Sequence, residues 1–101
     1  MKYDMTQVEH ITEMEQRLDK ASAAVMQLSA ALDGYIAAQE DIRELDAYYG
    51  SQEWKKDLAD DEAGRLPQGM KRGVLSEDSI WNLLEDNKEM LARIKALTSG
   101  V

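Results

Sequence analysis

The sequence predicts an all-α protein, a long N-terminal helix followed by a short connector helix and a C-terminal helix packed as an antiparallel hairpin or bundle. Three observations predict it. From Asp4 to Tyr49 there is no proline and a single glycine, Gly34. Apolar residues in that stretch recur at alternating gaps of three and four. The only proline and four of the six glycines fall between Gly50 and Gly73, where a helical chain would turn.

The first helix spans about 4–49. Its apolar positions are Ile11, Met14, Leu18, Ala21, Val25, Leu28, Leu32, Tyr35 and, after Gln39, Ile42. This is the heptad spacing of a helix that packs along a narrow seam. Seven of the chain's twelve alanines lie between Ala21 and Ala38, and alanine is the best helix former. Gly34 costs about 1 kcal/mol relative to alanine inside a helix. Tyr35, Ile36, Ile42 and Leu45 resume the pattern without a phase break, so a continuous helix is favoured over a break there. At 1.5 Å per residue such a helix is roughly 70 Å long. A compact domain of about 100 residues has a radius of gyration near 13 Å and does not contain it.

A second helix spans 51–62, with Ser51 as N-cap and Trp54 and Leu58 on one side. Gly64-Arg65-Leu66-Pro67 reads as a stop and a turn, and 63–75 as a connecting loop. Val74 and Leu75 stand where a hydrophobic staple precedes a helix. The third helix spans 76–98. Ser76 is its expected N-cap, Glu77 and Asp78 complement its dipole, and Lys95 lies in its final turn. Its stripe, Ile80, Leu83, Leu84, Asn87, Met90, Leu91, Ile94 and Leu97, is wider than the first helix's seam.

The third helix, at about 33 Å, covers only half of the first. The half from Tyr35 to Tyr49, with Ile36, Ile42, Leu45 and Tyr48, has the broader apolar face and is the expected partner. That leaves the seam of Ile11, Met14, Leu18, Val25, Leu28 and Leu32 with nothing in its own chain to bury it. A two-fold homodimer that pairs these N-terminal halves is the expected remedy. All 101 residues are thus expected to form a single all-helical domain completed by dimerisation.

Composition narrows function by exclusion. No cysteine removes disulfides, thiolate nucleophiles and thiolate metal sites. One histidine, His10, flanked by Glu13, falls short of a zinc or di-iron site. No apolar run exceeds four residues, as at Ala23–Met26, and the first ten residues lack the apolar stretch of a signal peptide, so no membrane partner and a cytoplasmic location are expected. The net charge of −8 argues against nucleic acid. That charge is uneven. Residues 1–50 carry ten acidic and four basic side chains, 51–75 carry five of each, and 76–101 carry five acidic and three basic. No serine–histidine–acid arrangement, phosphate loop or dinucleotide fingerprint is present. No cofactor is expected.

Three groups near the connector merit a functional reading. Asp57, Asp60, Asp61 and Glu62 could supply oxygen ligands to Mg²⁺ or Ca²⁺, although not at EF-hand spacing. A solvated face paired with Lys55, Lys56, Arg65 or Arg72 is the stronger reading. Lys71-Arg72-Gly73 precedes a helix and could take an anion. Glu77 and Asp78 would repel one, so pairing of Lys71 and Arg72 with Asp60, Asp61 or Glu62 is favoured. Tyr48, Tyr49, Trp54 and Trp81 could line a pocket, but in a chain without Phe they are the rings available to fill a helix junction.

Much of this segment also carries a resemblance. Tyr48-Tyr49-Gly50-Ser51, Glu53-Trp54-Lys55, Asp57, Asp61-Glu62-x-Gly64-x-Leu66-Pro67, Lys71-Arg72-Gly73-Val74-Leu75-Ser76-Glu77-Asp78 and Trp81-x-Leu83-Leu84 resemble a bacterial family of about a hundred residues known only as a domain of unknown function. The resemblance implies no activity, cofactor or catalytic residue. The leading expectation is a non-enzymatic helical module for protein interaction or oligomerisation, with a homodimer and an unidentified protein as partners. The alternative is a small-ligand or metal-binding protein whose surface is formed by Trp54, Asp57, Asp61, Glu62, Lys71 and Arg72. A weaker alternative is an acidic mimic of nucleic acid.

Overall fold

The computed structural model describes residues 2–100, and among them there is helix and turn but no strand. In order the elements are α1 (Met5–Tyr48), α2 (Gln52–Glu62), a 3₁₀ turn (Gly73–Leu75) and α3 (Ser79–Ser99). The chain divides into two units, Met1–Ala38 and Gln39–Val101.

The first unit is the N-terminal part of α1. Asp4 is its cap rather than its first residue: the Asp4 carbonyl accepts from Val8 N–H at 3.0 Å and Oδ1 accepts from Thr6 N–H at 2.9 Å. Two of the donors that open a helix are thereby satisfied. Arg17 reaches back to Glu13 at 2.8 Å, the spacing at which exposed helical pairs add a few tenths of a kcal/mol. The helix runs unbroken through Gly34, as the uninterrupted pattern requires. Ile36, expected on a covered face, is exposed.

The second unit begins with the last turns of α1. Gly50, at φ +78, turns the chain out of α1, and Ser51 fastens both sides of the corner. Its hydroxyl donates to Tyr48 O at 2.6 Å and accepts from Trp54 N–H at 3.1 Å, so it caps α2 as predicted. Helix α2 ends in a Schellman turn. Arg65 N–H donates to Asp60 O at 2.9 Å and Gly64 N–H to Asp61 O at 3.0 Å, with Gly64 at φ +74. Only glycine adopts that conformation without steric cost.

The start of α3 differs from expectation. Residues 73–75 curl into the 3₁₀ turn, which leaves Ser76 extended at φ −72 and ψ 152. The first intrahelical bond then runs from Asn82 N–H to Asp78 O, so the helix opens at Ser79 and not at Ser76. Ser76 nevertheless supplies a cap, because its Oγ accepts from Ser79 N–H at 3.2 Å. Lys95 lies before the last turn, since the helix continues to Ser99.

Within this unit α3 runs antiparallel to the end of α1. Gln39 Nε2 donates to Asn87 Oδ1 at 3.4 Å, and Tyr49 Oη donates to Glu77 O at 3.1 Å. Ten residues forward along one strand of this pairing correspond to ten residues back along the other, which fixes the direction. Leu75, 7% exposed, and Ile80, 2% exposed, form the core. Ile42, Leu45, Leu58, Leu84 and Ile94 are half-buried. Leu83, Met90, Leu91 and Leu97 stay exposed, so the broad stripe of α3 is covered on one side only.

Candidate interaction surface

Three of the four carboxylates of the α2 cluster, those of Asp57, Asp60 and Asp61, have partners within the unit. Asp57 Oδ2 accepts from Tyr48 Oη at 2.7 Å. Asp60 pairs with Lys56 and with Arg65, each at 3.0 Å. Those two cations hold its carboxyl below the usual aspartate range, while Asp60 in turn raises the Lys56 ammonium. Arg65 is also the residue closing the Schellman turn, so an ion pair stands where that motif usually has an apolar contact. Asp61 accepts from the Arg72 guanidinium, which also donates to the carbonyls of Pro67, Gln68 and Met70. One planar fork with several donors thus gathers residues 67–72 onto α2.

Among the described residues no group of three or more His, Cys, Asp or Glu is arranged to hold a metal ion. Asp57 and Asp61 sit one helical turn apart, and their like charges are relieved by separate partners. Arg72 makes the predicted pairing with Asp61. Lys71 is exposed and, among the described residues, makes no ion pair. Glu62 is likewise exposed on α2. The proposed surface of Trp54, Asp57, Asp61, Glu62, Lys71 and Arg72 is therefore mostly an internal brace.

The aromatic set divides. Tyr49 and Trp54 meet edge to face, centroids 5.2 Å apart at 68°. Trp54 Nε1 donates to Val74 O at 2.9 Å, so the pair joins the end of α1, α2 and the 3₁₀ turn. The Tyr48 hydroxyl, bonded to Asp57, has its pKa pushed up to about 12, first by that hydrogen bond and then by burial and nearby carboxylates. Trp81 departs from the expectation of a junction filler. It is 53% exposed, because the core position of this turn of α3 is taken by its neighbour Ile80. Its indole borders an open cleft of about 410 Å³ with Gln39, Ile42, Arg43, Leu84 and Lys88. The spacing of α3 separates the two, since Ile80 falls on its apolar stripe with Leu84 and Asn87 and Trp81 does not.

The remaining surface feature lies in the first unit. Ile11, Met14, Leu18, Val25, Leu28 and Leu32 keep between 41% and 68% of their surface exposed. At this spacing they share one face of α1. His10 lies beside them, exposed on the helix.

Fold and surface together define a small all-helical protein whose charged connector is braced internally and whose first helix displays an apolar seam. No helix among the described residues is long and apolar enough to cross a membrane. The chain belongs to the family described as domain of unknown function DUF4298, whose model matches residues 11–96. No curated protein matches it.

Proposed function

We propose that the protein is a non-enzymatic helical module that works by association, and that the N-terminal half of α1 is its contact surface. The observation that carries this reading is the seam from Ile11 to Leu32, large apolar side chains at heptad spacing and about half exposed. Fully burying one such side chain is worth about 1.5–3 kcal/mol. With roughly half of each surface still open, a symmetric pair would gain on the order of 10 kcal/mol from its twelve side chains. Lost translational and rotational freedom offsets part of that gain, so the pairing depends on concentration.

The connector supports the reading by what it already does. Asp57, Asp60 and Asp61 are bound by Tyr48, by Lys56 with Arg65, and by Arg72, which favours a structural role over ligand capture. The test is the dependence of melting temperature on protein concentration. A self-associating fold melts higher as concentration rises. Leu18→Glu and Leu28→Glu should flatten that dependence without removing the helical signal of the second unit. A melting temperature independent of concentration in the parent protein overturns the reading.

A further inference from the structure

The seam has a polarity that bears on what covers it. Between Glu9 and Lys20 there are four acidic residues, opposed by Arg17 and Lys20. Residues 21–32 carry no charge at all and include Ala21, Ala23, Ala24, Ala30 and Ala31. The apolar face crosses both halves without interruption, so the charged half and the neutral half present the same seam.

From this we infer that the occupant of the seam is a second copy of the chain lying antiparallel, with the two-fold axis crossing α1 near Ala23. The inference rests on the association reading above and adds the partner and its direction. Charge is the first argument. A parallel pair sets this stretch, two acidic residues in excess, alongside its own copy, a repulsion that acts at longer range because Glu9, Glu13 and Asp19 lie off the seam. An antiparallel pair lays it over the neutral, alanine-rich stretch.

Packing is the second. In a parallel pair every seam residue meets itself, so Ala21 meets Ala21 and leaves a gap between larger layers. In the antiparallel register Ala21 meets Val25, Leu18 meets Leu28 and Met14 meets Leu32, which sets Val25 against the small Ala21 and pairs the remaining large side chains with one another. The flanking positions agree. Glu15 falls opposite Ser29, Arg17 opposite Ala31, and Ser22 and Ala24 each meet their own copies across the axis. No like charges face each other. The parallel arrangement offers His10 near Glu15 in return, and an exposed pair of that kind contributes little.

The chain has no cysteine, so spin labels can be placed singly. Thr12→Cys and Met26→Cys occupy equivalent positions on the helix two heptads apart, exposed and off the seam. In the antiparallel pair the labels at 12 lie 22 residues apart along the axis, roughly 33 Å, and those at 26 only about 9 Å. With helices about 8–10 Å apart, electron–electron dipolar spectroscopy should read roughly 35 Å for position 12 and under about 20 Å for position 26. Equal short distances at both positions overturn the antiparallel arrangement while leaving association intact. A labelled protein that light scattering finds monomeric overturns both.

Discussion

Arg72 is the residue on which the connector most depends, and its replacement gives the sharpest test of how the second unit is held. Arg72→Met keeps the aliphatic stem and removes the fork that binds Asp61 and the carbonyls of Pro67, Gln68 and Met70. Asp61 is 19% exposed and Arg72 32%, so the pair is only partly screened by water. A hydrogen bond to a charged group contributes about 1.5–3 kcal/mol, and partial exposure places this one near 2 kcal/mol. In a domain of this size 1 kcal/mol moves the melting temperature by about 4–8 °C, so a fall of about 8–16 °C is expected. Tryptophan fluorescence is the assay, because Trp54 and Trp81 both lie in the second unit. Arg72→Lys should recover less than half of the loss, since one ammonium cannot reach all these acceptors together. Asp61→Asn combined with Arg72→Met should fall short of additivity by about 1–2 kcal/mol. An Arg72→Met protein that melts within about 2 °C of the parent would refute the bracing role.

Two further outcomes follow from local geometry. Gly64→Ala, at φ +74, should destabilise the second unit by about 1–2 kcal/mol, whereas Gly34→Ala, in mid-helix with nothing within 4 Å of the new methyl, should stabilise by up to about 1 kcal/mol; thermal melts of the two variants should move in opposite directions. Tyrosinate absorbance should show a step near pH 12 that Tyr48→Phe removes. Because the folded pKa of Tyr48 lies above its unfolded value, the Tyr48–Asp57 bond stabilises fully below pH 10 and is lost as pH rises towards 12.

Most of the architecture was legible in the sequence because it is written in local rules. Heptad spacing and the lack of proline gave α1, with continuity through Gly34. Ser51 and Gly64 bracketed α2, since a cap hydroxyl and a positive-φ glycine act within a few residues. The start of α3 was displaced because Gly73–Leu75 took a competing 3₁₀ turn, and a cap residue such as Ser76 can serve that turn and the helix after it. Trp81 is outward because it lies one residue off the apolar stripe of α3 that Ile80 begins. The scarcity of large rings pointed to the junction, and helical spacing was the better guide. The charged connector was readable as ion pairs, yet Asp57 bonding to Tyr48 rather than to a cation depends on the corner at Gly50.

The proposed pairing of two copies along the seam of α1 fixes the mass of the protein in solution. Light scattering coupled to size separation, at micromolar concentration, tests it most directly. A mass twice the 11.4 kDa of one chain is expected, reduced to that of a single chain by Leu18→Glu with Leu28→Glu. A parent protein of 11.4 kDa with a fully helical spectrum would contradict it.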